Sequence, residues 1–410
     1  MITIQPFKAL RPEAQLAKQV ASRPYDVLNS KEAKLEAQGN HSSFLHITKS
    51  EIDLPENTDP YSPQVYDKAK ENLDAFISRN ILFRENKPCY YIYQLNMNGK
   101  TQTGLVCVSS VADYENGLVK KHEFTRPEKE QDRINHIITT GAQTGNVFLA
   151  YKNVNDIDEL ISTWKKDRNP VYDFCADDEI QHTIWIVNDE ATIEKITGLF
   201  NTKVPASYIA DGHHRAASAA KAKKALGNKA GENAEYFLTT LFPSNQLHIM
   251  DYNRVVKDLN ALSCKEFLLK LEDKFIVKKT DQALSPQNLH EFGMYMENQW
   301  YQLTAKEGTF TYDPIGILDI SILQNNLLEP LLGIQDQRTD KRIDFVGGIR
   351  GLQELEKRVN SGEMAVAFSL HPVTIDQLFD IADSGNVMPP KSTWFEPKLR
   401  DGLLTHLITA

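Results

Sequence analysis

The run Ala206-Ser207-Tyr208-Ile209-Ala210-Asp211-Gly212-His213-His214-Arg215-Ala216-Ala217-Ser218-Ala219 reads as the end of a β-strand, a sharp turn and the start of a helix. Tyr208, Ile209 and Ala210 carry the strand, and Asp211-Gly212 makes the turn. From Arg215 to Leu226 the chain is mostly Ala, Lys and Leu, good helix formers, and Gly227 stops it. Asp211 is expected to cap the helix, and Gly212 to let the backbone approach a ligand. The N–H groups at such a helix start carry partial positive charge, and His213, His214 and Arg215 share the same turn. Together they predict an anion pocket, for phosphate first. Neighbouring side chains on a helix diverge by about 100°. The two imidazoles and the guanidinium therefore cannot all face one core, and at least one meets solvent or ligand.

The 410 residues are 41% hydrophobic and 25% charged, enough for a sizeable core and for more than one lobe. Acidic residues outnumber basic ones, 55 to 46, and no basic run stands out. That composition argues against a nucleic-acid or anionic-membrane partner. The start Met1-Ile2-Thr3-Ile4-Gln5-Pro6 lacks the pattern of a signal peptide, and no apolar run reaches the ~20 residues of a membrane span. Cys89, Cys107, Cys175 and Cys264 are widely spaced, which predicts reduced thiols in a cytoplasmic protein.

Along the chain, Pro24 interrupts the helix predicted for Ala14 to Ala21, leaving a loop in which Arg23, Tyr25 and Asp26 lie close together. It is a candidate ligand loop, with an ordinary surface turn as the alternative. Tyr61 to Ile81 has helical spacing. Cys89 to Leu95 and Thr103 to Ser109 read as strands around Asn98-Gly99, a hairpin signal. His122 beside Glu123 is a candidate acid–base pair, and the alternative is a solvated charged loop. A helix follows from about Glu128 to Thr139. Strands at Asn146 to Tyr151 and Thr183 to Val187 alternate with helices at Ile157 to Trp164 and Glu190 to Phe200. With the strand Glu235 to Phe242, the centre reads as α/β. From Ser263 the pattern is helix, strand (Phe275 to Lys278), helix, strand (Trp300 to Thr304), then a long apolar helix from Ile317 to Leu332. A helix at Gly351 to Val359, a strand at Met364 to Leu370 and a helix at Ile375 to Ala382 follow. Near the end, Pro389 and Pro390 constrain a loop on which Lys391, Ser392 and Thr393 offer an ammonium and two hydroxyls to an anion.

Five segments carry a resemblance: Arg23-Pro24-Tyr25-Asp26-Val27-Leu28, Lys121-His122-Glu123-Phe124-Thr125, Ile209 to Arg215, Tyr252-Asn253-Arg254-Val255-Val256 and Met388 to Lys398. With them the chain resembles, from end to end, a bacterial and archaeal family known as domain of unknown function 1015. Gly212-His213-His214-Arg215 followed by a helix also resembles the signature of the ParB/sulfiredoxin superfamily, whose members bind a nucleotide with this turn. Sulfiredoxins carry a catalytic Cys where His213 stands, so sulfinic-acid repair is not implied. ParB proteins add a DNA-binding helical domain, of which the acidic balance gives no sign. Free-serine kinases use a similar turn for phosphates and are the nearest likeness.

The resemblance implies a mixed α/β (α+β) fold with a ParB/sulfiredoxin-like nucleotide-binding core over 121–260. Residues 1–120 would be an N-terminal α/β segment supplying ligand loops, and 261–410 a C-terminal α/β region. It implies a nucleotide-dependent small-molecule kinase, using ATP or ADP, or CTP, with Mg²⁺. Asp211, Gly212, His213, His214 and Arg215 would hold phosphates. Glu123 would be the base, with Asp26 as runner-up and His122 beside it. Arg23, Tyr25, Arg254, Lys391, Ser392 and Thr393 would contact substrate or clamp it. A nucleotide-binding sensor without chemistry is the second reading. The third, a metal-dependent hydrolase on Asp211, His213 and His214, suffers because adjacent His side chains diverge and no H-E-x-x-H spacing is present.

Overall fold

Asn98 and Gly99 both adopt positive φ, 52° and 76°, the backbone of a tight two-residue hairpin turn. In the computed structural model, which describes residues 1–409, a short strand β1 (Ile4–Gln5) precedes this hairpin. The turn joins β2 (Tyr90–Met97) to β3 (Lys100–Ser110), with Met97 opposite Lys100 and Tyr91 opposite Val106. Further along lie β4 (Val119–Lys120), β5 (Val147–Tyr151), β6 (Tyr172–Cys175), β7 (Gln181–Val187), β8 (Ser207–Asp211) and β9 (Tyr236–Pro243). Among the described residues these form a nine-stranded sheet in the order β4-β8-β5-β9-β3-β2-β7-β6, with β1 paired to β3 off that path. β8 runs parallel to β4 and antiparallel to β5, and β9 runs parallel to β5 and antiparallel to β3. The sheet is therefore mixed, as an α/β chain with hairpins requires.

Helices α1 (Pro63–Ser78), α2 (Pro127–Thr140), α3 (Asn155–Asp167), α4 (Glu190–Lys203) and α5 (His213–Leu226) accompany the sheet. Ile157, Ile196, Phe200, Ala216 and Ala220 join Ile92, Leu105, Leu149 and Ile209 in one apolar cluster. The small side chains of α5 let it approach α2 closely: Ser218 Oγ donates to the Glu130 carbonyl at 3.1 Å, and Lys221 pairs with the Glu130 carboxylate. On the other side of α2, Tyr66 of α1 donates to Asp132 Oδ1 at 3.0 Å.

The chain divides into two units, Met1–Leu247 with Pro397–Ala410, and His248–Glu396. The second carries β10 (Tyr252–Val256), β11 (Phe275–Thr280), β12 (Glu291–Met296), β13 (Gln299–Ala305), β14 (Ile343–Gly347) and β15 (Val366–Leu370). They pair antiparallel throughout, in the order β11-β13-β12-β15-β10-β14. α6 (Cys264–Leu271), α7 (Gly351–Asn360) and α8 (Ile375–Asp383) complete it, and Val255, Trp300, Leu355 and Ala367 lie in its core.

This division differs from the expected segments 1–120, 121–260 and 261–410. β3, from the first segment, lies beside β9, from the second, so those two share one sheet. The boundary falls after Leu247, and the last residues return to the first unit. Two predicted helices also differ. The stretch between β11 and β13 holds the strand β12, whose Phe292, Met294 and Met296 are buried beside its neighbours. The apolar run Ile317 to Leu332 is helical only over Asp319–Leu323, then widens into a π-turn over Gln324–Leu328. Pro330 removes an N–H donor within that run, which ends where Gly333 takes φ 69°.

The returning tail is laced to the first unit by backbone bonds. Ser22 and Asp401 exchange N–H···O bonds at 3.1 and 2.9 Å, Thr405 and Leu10 at 2.9 Å, and His406–Leu407 pairs with Ala142–Gln143. Gly402 sits in this lacing at φ 89°, where an added Cβ would meet Phe44 Cγ at 2.6 Å. Gly402→Ala should therefore cost roughly 1–3 kcal/mol of stability through overpacking and backbone strain. Urea denaturation measures this, and an unchanged midpoint would show the lacing to be slack.

Candidate functional site

β8 ends at Asp211, and Gly212 turns the chain into α5 with φ 96° and ψ 32°. That left-handed conformation suits Gly, and a Cβ there would lie 3.1 Å from the Arg215 guanidinium carbon. Gly212 occupies the capping position, so the expected cap role of Asp211 is corrected. The Asp211 carboxylate accepts instead from Arg215 Nη2 at 2.8 Å and lies 3.7 Å from Lys398 Nζ. The first N–H groups of an α-helix have no partner within it, and glycine has no side chain to cap them.

Arg215 is 7% exposed and points inward. Its Nη1 donates to the Asn146 carbonyl and its Nη2 to Asp211, with Asp26 Oδ2 at 3.3 Å. Burial opposes its charge, but the carboxylates of Asp26, Asp211 and Asp401 outweigh that and hold it firmly protonated. For Asp211 burial pushes upward, and Lys398 with Arg215 overcomes it, holding the group well below the usual carboxylate range. Asp401 is 2% exposed, and burial pushes its carboxyl up to about 7 against the pull of Arg215. Its Oδ2 has no hydrogen-bond partner. Gly145 lets the Arg215 stem pass: a Cβ there would come 2.9 Å from Arg215 Cδ.

The two imidazoles diverge from this cation. His213 is buried against His122, ring centroids 4.5 Å apart and nearly perpendicular. The His122 backbone N–H donates to His213 Nε2 at 3.5 Å, which leaves the proton on Nδ1. That atom lies 3.8 Å from Glu123 Oε2. Burial, reinforced by His122, drives His213 well below its ordinary value. Burial likewise pushes His122 down to about 4, and both of its ring nitrogens are unpartnered. His214 accepts from the Arg126 backbone N–H at 3.0 Å and is lowered by burial, with Asp26 and Glu130 opposing.

The expected convergence of His213, His214 and Arg215 on one anion is thus corrected: each side chain faces a different neighbour. A cavity of about 20 Å³ lies inside Arg215, lined by Tyr25, Arg133, His136, Gly145 and Ala219. It has room for about one water, which needs roughly 10–15 Å³. On the outer side of the helix start Glu123 and Arg126 are exposed. Glu123 is open to solvent, whereas His122 is enclosed against His213.

The N-terminal loop does come to the turn: Asp26 meets Arg215, and the Tyr25 ring lies 4.1 Å from the Arg133 guanidinium carbon. Arg23 does not serve as a clamp, since its Nε donates to Glu36 Oε2 at 2.7 Å on the surface. Arg254, Lys391, Ser392 and Thr393 belong to the second unit, and Ser392 Oγ donates to the Pro389 carbonyl at 2.6 Å. Among the described residues no three His, Cys, Asp or Glu are grouped to hold a metal ion. Asp211 faces Arg215 while His213 and His214 diverge, which removes the geometric basis of a metal site on those three.

Sequence reading missed Arg126, Asn146, Lys398 and Asp401. Arg126 stands just before Pro127 at the start of α2, a signal of helix entry but not of proximity to His214. The other three reach the turn through pairings across the chain that leave no local trace.

The chain belongs to the family described as "Protein of unknown function (DUF1015)", whose profile matches residues 4–321. No curated protein matches the sequence. Among solved structures, a free serine kinase in complex with AMP matches at 11% identity, covering 72% of this chain and 91% of that one, with a TM-score of 0.37. A conserved hypothetical protein from Pyrococcus furiosus matches at 14%, covering 74% and 94%, with a TM-score of 0.36. SbnI with a C-terminal truncation, from Staphylococcus aureus, matches at 10%, covering 72% and 85%, with a TM-score of 0.37. Scores this low decide neither ligand nor reaction.

The buried imidazoles fix a pH dependence. An unfolded His titrates near 6.5, whereas folded His122 stays neutral down to about pH 4. Below 6.5 the unfolded chain gains a proton that the folded chain refuses, so this contribution is complete above 6.5 and is lost as pH falls to about 4. Asp401 acts oppositely: its folded value of about 7 against 3.8 makes its contribution grow on acidification over that span. Urea denaturation from pH 7 to 4 should therefore show a shallower loss of stability in His122→Asn than in the parent. Equal slopes would contradict a neutral, buried His122.

Proposed function

We propose that this member of a family of unknown function binds a nucleotide at the start of α5 and transfers a phosphoryl group from it to a small hydroxyl compound, free serine being the first acceptor to try. The observation that carries the reading is the 3.8 Å approach of Glu123 Oε2 to His213 Nδ1, the first residue of the helix. Phosphoryl transfer needs positive potential around the migrating group and a carboxylate for the attacking hydroxyl, in one place. The helix start and Arg126 supply the potential, and Glu123 supplies the carboxylate.

The acceptor oxygen attacks the terminal phosphorus while its proton passes to Glu123. The bond to the leaving phosphate oxygen breaks, and the nucleotide departs one phosphate shorter. His213, neutral with its proton on Nδ1, orients the Glu123 carboxylate. Arg215 does not touch the phosphate; it holds Asp211 and Asp26 so that the turn keeps its shape. Phe124, 73% exposed beside Glu123, offers a face on which a base can stack.

Asp26 and Asp211 do not fit a protein-held Mg²⁺, because both face Arg215. An ion of that kind would arrive with the nucleotide phosphates. Among the described residues no helix is long and apolar enough to cross a membrane. All four cysteines are free thiols, which supports a reducing, cytoplasmic setting.

Calorimetry with ATP, ADP and CTP, followed by turnover assays with serine and other hydroxyl acceptors, tests the proposal. Glu123→Gln should lower turnover by about 10²–10⁴-fold while nucleotide affinity is kept. Absence of binding by all three nucleotides would end the reading. Binding without turnover in the parent protein would make the site a sensor.

A further inference from the structure

Arg254 carries a charge into the interior of the second unit without a carboxylate to meet it. It is the middle residue of β10 and 1% exposed. Its nitrogens all donate to neutral oxygens: Nη1 to the Tyr252 carbonyl, Nη2 to the Lys391 carbonyl at 3.0 Å, and Nε to Gln337 Oε1 at 3.4 Å. The rings of Phe345 and Tyr252 lie 5.4 and 6.0 Å from the guanidinium carbon. Burial pushes this group down to about 9, which still leaves it ionised at neutral pH.

The contrast with other buried arginines is direct. Arg11 has Glu85, Arg215 has Asp211 and Asp26, and Arg400 has Asp178. Buried charges in folded proteins are ordinarily paired, because an uncompensated one is costly. A guanidinium has five N–H donors, and three acceptors stand against Arg254, so five less three leaves two N–H groups for something else.

A second cation lies on the loop whose carbonyl meets Arg254. Lys391 is exposed, sits at φ 58°, and holds its Nζ 5.6 Å from the centroid of the Tyr252 ring that also flanks Arg254. Among the described residues neither Arg254 nor Lys391 forms an ion pair. The Lys391 carbonyl on Nη2 is a neutral acceptor, and a charged oxygen makes a hydrogen bond roughly twice as strong. An anion can therefore replace that carbonyl, with the Lys391 loop moving aside and its ammonium closing on the ligand.

We propose that Arg254 and Lys391 form an anion site in the second unit for a small oxyanion, either the phosphate of an ester or a carboxylate. The site stands independently of any nucleotide at the Gly212 turn.

Titration calorimetry of the full chain with inorganic phosphate and, separately, with acetate tests this. One of the two should bind saturably, and the arm that responds names the ligand class. Lys391→Ala, an exposed change, should weaken binding about tenfold, equivalent to ~1.4 kcal/mol, and Arg254→Met should abolish it. Gly212→Ala should leave it intact. If Arg254→Met does not fold, Lys391→Ala carries the test. Binding by neither anion, binding that Lys391→Ala leaves unchanged, or binding lost in Gly212→Ala alone would overturn the proposal.

Discussion

The Arg215 guanidinium is the tie on which the first unit's candidate site depends. One buried cation joins the end of β8 through Asp211, the N-terminal loop through Asp26, and the segment before β5 through the Asn146 carbonyl. Asp401 of the returning tail adds its field to the same group. Four stretches of chain meet there; Lys398, 3.7 Å from Asp211, adds a second cation on one of them, whereas Arg215 reaches Asp26, Asp211 and the Asn146 carbonyl together. A buried arginine with planar, branched donors suits this role better than lysine, whose charge is a single point.

That arrangement sets which groups of the turn stay unengaged. Its side chains are largely engaged with the protein itself, which leaves the backbone N–H dipoles and the exposed rim. Fixed dipoles at a helix start attract negative charge without the rotamer entropy that long basic side chains lose on binding. Glu123 at the rim then sits beside positive potential rather than inside a cluster of cations. The buried His122–His213 pair supports this edge from behind, neutral and without competing charge.

Much of the scaffold was legible in the residues because it is decided locally. Asn98-Gly99 admits positive φ at both positions and so sets the hairpin. The Ala-rich run after Gly212 can scarcely be anything but a helix. Where tertiary packing overrides local preference, the reading failed: Phe292, Met294 and Met296 have the apolar content of a helix face but the alternation of a strand between two others. Pro330 inside an apolar run was the missed sign that the helix before it is short. For the site, the turn was legible and its wiring was not. Nothing in the neighbourhood of Arg215 in sequence announces Asp26, Asn146 or Asp401, since ion pairs across a fold have no periodicity. Arg23, two residues from Tyr25 in the same predicted loop, turns away to Glu36, a matter of side-chain direction that spacing does not encode.

The tail that laces Ser22, Leu10 and Ala142 has a consequence for how the molecule comes to exist. Residues 248–396 intervene between the body of the first unit and the strand that fastens it. Closing so long an intervening stretch costs entropy that local hairpins and helices do not. The apolar centre of the first unit is built from residues that all precede that stretch, from Ile2 to Leu241. Asp401, which follows that stretch in the chain, contributes to the acidic surround of Arg215. A chain without that docking would hold the scaffold while the surround of Arg215 stayed incomplete, so packing and the wiring of the turn depend on different parts of the chain.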